Sequence, residues 1–237
     1  IKLKIMFKVF TVLGTRPEII KLSRIIKIFD KSFDHKLIHT GQNFDYELNE
    51  IFFKELNIRQ PDVYLNCAKK TSIETISEIL IKFEKLIKRD RPDAIFVLGD
   101  TNSAFAALTA KKNKIPIFHY EAGNRCFDNS VPEEINRKIV DHISDFNFTY
   151  TEISKQNLIQ EGIPSEKIVN IGSPMKEVIN HYDNKINQSK IIKKLKIKKK
   201  KYFLVSLHRE ENVEDKKRLI LFLKSIDTLC KKFKIKA

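Results

Sequence analysis

The chain lacks most of what would staple it, thread it through a membrane or export it. Its three cysteines, Cys67, Cys126 and Cys230, lie far apart and form no C-x-x-C pair. So sparse and odd a set excludes a disulfide framework, offers no zinc-ligand spacing and suits a reducing, cytoplasmic setting. No run of about 18 apolar residues occurs, so no membrane span is expected. The opening Ile1-Lys-Leu-Lys-Ile-Met-Phe-Lys-Val-Phe10 has no apolar core followed by a small-residue cleavage site, so it does not read as a secretory signal. Glycine is scarce, at six residues, and neither G-x-x-x-x-G-K-[ST] nor G-x-G-x-x-G appears. That excludes an ATPase phosphate loop and a standard NAD site.

What is present is a basic chain of 237 residues, with 45 Lys and Arg against 30 Asp and Glu and a formal charge of +15. Its 42% hydrophobic content is enough for a packed core despite the charge. The excess charge is uneven. Residues 1–170 hold 26 basic and 23 acidic residues, whereas 171–237 hold 19 and 7. The densest stretch, Lys185 to Lys201, has nine lysines in 17 positions and neither Arg nor an aromatic residue. A nucleic-acid patch interleaves those residues for bidentate contacts and stacking, so this stretch reads as a solvated connector.

Apolar runs alternate with helical patterns. Strands are expected at 8–13, 36–39, 94–98, 115–119 and 146–149. Helices are expected at 17–30, 72–88, 103–111, about 132–144 and about 152–160. Such alternation predicts an α/β, Rossmann-like doubly wound parallel sheet. After Gly172-Ser-Pro a helix over about 174–182 leads into the connector, a fresh buried strand is expected at 201–207, and a helix at 215–233. The expected organisation is a first domain over 1–175, a connector over 176–200 and the start of an incomplete second domain over 201–237.

Five of the six glycines, Gly14, Gly41, Gly99, Gly123 and Gly172, fall at or just beyond the carboxyl end of a strand run. In open parallel sheets that edge is where ligands bind, although ordinary turn chemistry also uses glycine there. The polar residues that follow favour function. Gly14-Thr-Arg-Pro-Glu18 sets Arg16 at a helix start, an anion-attracting place, with Lys21 about one turn on. Gly99-Asp100 and Glu121-Ala-Gly123 end strands with carboxylates. Glu133 and Arg137 share a helix face, which is equally the spacing of a surface salt bridge. His208-Arg209 ends the last strand run with a basic pair. Three carboxylates and several phosphate-ready cations at one edge suit acid–base chemistry on a phosphorylated or nucleotide-linked substrate.

Six ordered motifs carry a family resemblance: Gly14-Thr-Arg-Pro-Glu-Ile-Ile-Lys21, Thr40-Gly-Gln42, Gly99-Asp-Thr101, Glu121-Ala-Gly-Asn-Arg125, Pro132-Glu-Glu-Ile-Asn-Arg137 and His208-Arg-Glu-Glu-Asn212. From about residue 8 onward the chain resembles the non-hydrolysing UDP-N-acetylglucosamine 2-epimerases. The resemblance implies a GT-B-like pair of Rossmann-like domains with the second one truncated. It implies C2 epimerisation of a UDP-N-acetylhexosamine through a 2-acetamidoglycal, without NAD or a catalytic metal. By motif match, Asp100, Glu121, Glu133 and His208 would be catalytic, and Arg16, Lys21, Gln42, Arg125, Arg137, Arg209 and Glu211 would bind substrate. The stretches 40–50 and 121–128 look closer to a subgroup forming UDP-N-acetyl-L-fucosamine for capsule or O-antigen. A GT-B glycosyltransferase, a nucleic-acid-binding protein and a non-catalytic remnant are the competing readings. The family's dimerisation through its N-terminal domain implies a homodimer. Because the family's second domain is incomplete here, the chain alone is expected to be weakly active or inactive, or to work with a separately encoded C-terminal half.

Overall fold

The computed structural model describes residues 6–42, 46–207 and 215–237. They divide into two compact units, Ile1–Tyr182 and Asp183–Ala237.

The first unit is built on seven strands: β1 (Lys8–Leu13), β2 (Asp34–His39), β3 (Val63–Tyr64), β4 (Ala94–Leu98), β5 (Ile117–Ala122), β6 (Phe146–Thr149) and β7 (Ile168–Asn170). They pair in parallel in the order β3-β2-β1-β4-β5-β6-β7. The helices between them are α1 (Arg16–Ser32), α2 (Tyr46–Glu55), α3 (Ser72–Arg89), α4 (Ala106–Lys112), α5 (Pro132–Ile143) and α6 (Glu152–Gln160), and α7 (Met175–Asn187) follows β7. Strand order reverses between β1 and β4, the switch point at which doubly wound sheets open a crevice.

The two-residue period of the strands divides the core between the faces of the sheet. Val9 and Leu13 of β1, with Phe96 and Leu98 of β4, pack against Ile19, Leu22 and Ile26 of α1 and Phe53 of α2. Phe10, Val12, Ile95 and Val97 pack on the opposite side against Ile79, Phe83 and Leu86 of α3, Ala106, Ala107 and Ala110 of α4, and Val140 of α5. The small residues of α4 let that helix lie close to the sheet. Both α1 and α3 open with capping boxes, Thr15 with Glu18 and Thr71 with Glu74, which satisfy amide groups at the helix starts.

Three sequence expectations change. The run 115–119 becomes a strand that starts only at Ile117, because Pro116 has no N–H for the ladder, and continues to Ala122. The helix expected at 103–111 divides into a 3-10 turn, Asn102–Phe105, and α4. The buried strand expected at 201–207 does not form. Only Tyr202 bridges Lys236, and Leu204 is 88% exposed. A strand needs a neighbouring ladder to bury its apolar side chains, and among the described residues none runs beside it.

The second unit otherwise contains the end of α7, the short helix α8 (Ile191–Lys194) and α9 (Lys216–Phe233). Asp215 caps α9 by accepting from the Lys217 and Arg218 amides, yet no residue of α9 is buried. No helix among the described residues is long and apolar enough to cross a membrane.

Candidate active site

The site assembles at the carboxyl edge of the first unit's sheet, starting from Gly14. A Cβ there would lie 2.0 Å from Thr40 Oγ1 and 2.3 Å from Ser103 Oγ, so only glycine lets these hydroxyls meet over the end of β1. They are 2.8 Å apart and hydrogen-bonded. Gln42 also abuts this point, and its buried Oε1 has no partner among the described residues.

Glu18 ties this turn to the end of β4. Its buried carboxylate accepts from the Gly14 amide at 2.9 Å, the Thr15 amide at 2.7 Å, Thr15 Oγ1 at 2.8 Å and Thr101 Oγ1 at 3.1 Å. Burial pushes its carboxyl up to about 7, against the opposing pull of these donors. The clamp holds the first turn of α1 beside Asp100. Arg16, at the start of that helix, is exposed, with its guanidinium 5.9 Å from the Phe52 ring centroid.

Two carboxylate–cation pairs follow. Glu121 sits where β5 shifts register against β6, between Tyr120 and Ala122, and its backbone takes a left-handed φ of 72°. This bulge turns the carboxylate away from the regular pleat. There it accepts from Lys21 Nζ and, at 3.2 Å, from the Tyr150 hydroxyl. Burial and the Glu121 charge hold the Tyr150 proton more tightly than in a free phenol. Asp100 accepts from Arg137 Nη2, while Asn136 Nδ2 donates to the Asp100 carbonyl at 2.9 Å. A Cβ on Gly99 would lie 3.8 Å from Glu121 Oε2, so the two carboxylate-bearing turns are neighbours.

Arg137 also donates to the Asn124 carbonyl at 3.0 Å and to Glu134 at 3.1 Å. Glu134, not Glu133, is the helix partner of Arg137. It is fully buried and also accepts from the Cys126 amide at 3.0 Å and the Phe127 amide at 3.3 Å. Those hydrogen bonds outweigh the burial that raises its carboxyl, and leave it below the ordinary value. Glu133 is exposed on the first turn of α5. The inward stripe of α5 is charged, through Glu134, Arg137 and Asp141, while Ile135 and Ile139 face outward. Their i, i+3, i+7 spacing was the available signal.

Arg125 faces inward. Its buried guanidinium meets Glu161 at 2.7 and 2.6 Å and Asp141 at 2.8 Å. The structure thus brings Lys21 to Glu121 and Arg137 to Asp100, places Gln42 beside Gly14, and puts neither Glu133 nor Arg125 in either pair. His208, Arg209 and Glu211 lie outside the described residues. Glu18, Thr101 and Glu134, which stand in the quoted motifs without an expected site role, join the site, as does Tyr150, which lies outside them. Among the described residues no group of three or more His, Cys, Asp or Glu side chains could hold a metal ion.

The family model for UDP-N-acetylglucosamine 2-epimerase matches residues 28–236. The chain belongs to the UDP-N-acetylglucosamine 2-epimerase family. A Methanocaldococcus jannaschii UDP-N-acetylglucosamine 2-epimerase is 43% identical over 223 residues, covering 90% of this chain and 59% of the relative. The solved structure of the Rickettsia bellii UDP-N-acetylglucosamine 2-epimerase superposes with a TM-score of 0.89 at 48% identity, over 97% of this chain and 60% of that one. The Methanocaldococcus jannaschii epimerase in complex with UDP-GlcNAc and UDP superposes with a TM-score of 0.90 at 39% identity, over 97% and 64%. The chain therefore spans about 60% of the length of these relatives.

Proposed function

We propose that the carboxyl-edge site serves C2 epimerisation of a UDP-N-acetylhexosamine of the UDP-GlcNAc to UDP-ManNAc type, supplying precursors for cell-surface polysaccharide. The observation that carries this reading is the pair of neighbouring carboxylates, Glu121 and Asp100, each already in contact with a cation. The relative crystallised with UDP-GlcNAc and UDP supports the substrate class.

In this reading the C2 proton passes to a carboxylate and its electron pair forms the C1=C2 bond as the C1–O bond to UDP breaks. UDP leaves with that bond's electron pair. Return of UDP to C1 and of a proton to the other face of C2 gives the epimer, with no net redox change. Removing a weakly acidic C–H proton needs a positioned base, an effect typically worth about 10²–10⁴-fold. The departing diphosphate needs cations aimed at its developing charge. Glu121 and Asp100 answer the first need, and Lys21 and Arg137, in contact with them, answer the second. A diphosphate competes for them, which frees the carboxylate lone pairs for proton transfer. Arg16, with its exposed guanidinium, joins them on the diphosphate. His208, Arg209 and Glu211 keep the catalytic and nucleotide-binding roles that the motif implies. Arg125 acts from inside, by holding the turn that follows Glu121.

Proton NMR of the chain incubated with UDP-GlcNAc tests this. New UDP-ManNAc anomeric signals are expected. Saturable UDP-GlcNAc binding with no isomerisation, both by the chain alone and with the C-terminal domain of a family relative added, would overturn the catalytic reading.

A further inference from the structure

The turns bearing Glu121 and Asp100 are joined beneath the surface by a residue that reaches neither carboxylate. Asp141, on the inward stripe of α5, is completely buried. Its carboxylate accepts from the Gly123 amide, at 3.3 Å to one oxygen and 3.2 Å to the other. It lies 2.8 Å from Arg125 Nη1 and 2.9 Å from His119 Nδ1, the latter an ion-pair distance whose alignment falls short of a hydrogen bond. Three points of the 119–125 segment, one before Glu121 and two after it, therefore converge on a single carboxylate.

The connection continues to the neighbouring strand. His119 Nε2 donates to the Gly99 carbonyl at 2.9 Å, and Gly99 directly precedes Asp100. Asp141 also shares its helix with Arg137, the cation on Asp100. Two features call for such an anchor. Glu121 holds a left-handed backbone, a conformation strained for a non-glycine residue. A buried charge persists only where its partners are fixed.

We propose that Asp141 is a positioning residue that sets the Glu121 turn and, through His119, the Asp100 turn in one fixed relation. The catalytic consequence rests on the epimerase reading; the mechanical one does not. The test uses the full chain and two variants, Asp141→Asn and His119→Leu. Amide hydrogen exchange followed by NMR reads the mechanical link, and deuterium entry at C2 of UDP-GlcNAc in D₂O reads the catalytic one. Asp141→Asn is expected to speed exchange at Gly123 and Gly99 at least tenfold, with Val12 and Ile38 in the sheet core unchanged. It is expected to lower kcat at least a hundredfold with KM within about threefold. His119→Leu, which removes the contacts of His119 to Asp141 and to the Gly99 carbonyl but leaves the Gly123 amide on Asp141, is expected to speed exchange at Gly99 and leave Gly123 protected.

Faster exchange spread evenly over the sheet, or a kcat unchanged while Gly123 opens, would overturn the positioning role. Unchanged exchange at Gly99 in His119→Leu would overturn the coupling, and decides it even where Asp141→Asn does not fold. A parent chain that gives no deuterium at C2 counts against the epimerase reading alone, and the exchange result still decides the positioning.

Discussion

Ala94-Ile-Phe-Val-Leu98 and Tyr202-Phe-Leu-Val-Ser-Leu207 are similar apolar runs, and they end differently. The first is buried along its whole length between two neighbouring strands. The second pairs at one residue, with Leu204 88% exposed. The helices repeat the contrast. The amphipathic α3 buries Ile79, Phe83 and Leu86, while the equally long α9 buries nothing and leaves Leu221 65% exposed. Local signals operate in both units, since α9 has its cap at Asp215. The difference lies in what stands opposite. An apolar pattern specifies which face is to be covered, and a neighbouring ladder or helix does the covering.

The largest expected effect tests this contrast directly. Phe10→Ala should cost about 3–5 kcal/mol in urea unfolding. Leu221→Ala should cost less than about 0.5 kcal/mol, as exposed substitutions do. Equal costs would break the comparison.

Buried titratable groups sharpen it, because they belong to the first unit. Glu18 is pushed up to about 7 from 4.5, chiefly by burial. Its contribution to stability is fully present below pH 4.5 and lost as pH rises through 7. His39, buried with its Nδ1 accepting from the Gly41 amide, is pushed down to about 4 from 6.5 by the same cause. Its contribution is present above pH 6.5 and lost as pH falls through 4. The two oppose each other across the shared window. Glu18→Gln should therefore gain on the parent between pH 4.5 and 7, and His39→Gln should gain as pH falls from 6.5 to 4. Each change should be up to about 3 kcal/mol, read from urea midpoints across pH. Parallel curves for parent and variants would contradict both assignments.

Gly14→Ala should cost about 1–3 kcal/mol through overpacking against Thr40 and Ser103. Thermal unfolding measures it, and a neutral result would mean that the two hydroxyls part easily.

Much of the first unit could be read from its sequence, because its strands are apolar runs and its helices carry a clear period. The expected 94–98, 146–149 and 152–160 match β4, β6 and α6. The two-residue β3 and three-residue β7 are too short to show a period. The site was legible where glycine marks a strand end, at Gly14, Gly99 and Gly123. It was less so where helix phase decides. Glu133 and Glu134 are adjacent acids at a helix start, and only the seating of α5 on the sheet makes the second one the partner of Arg137. Arg125 was expected to bind substrate by motif match; Asp141 and Glu161, distant in sequence, hold its guanidinium inward. Glu18 follows Thr15 at capping-box spacing, which accounts for its local bonds to Thr15 but not for its reach to Thr101.

The most direct test of the central claim, that the carboxylates at the sheet's carboxyl edge move the C2 proton, is deuterium incorporation at C2 of UDP-GlcNAc in D₂O by the parent chain and by Glu121→Gln and Asp100→Asn. Measurable incorporation by the parent and a loss of at least a hundredfold in each variant are expected. Incorporation that persists at the parent rate in both variants would contradict it.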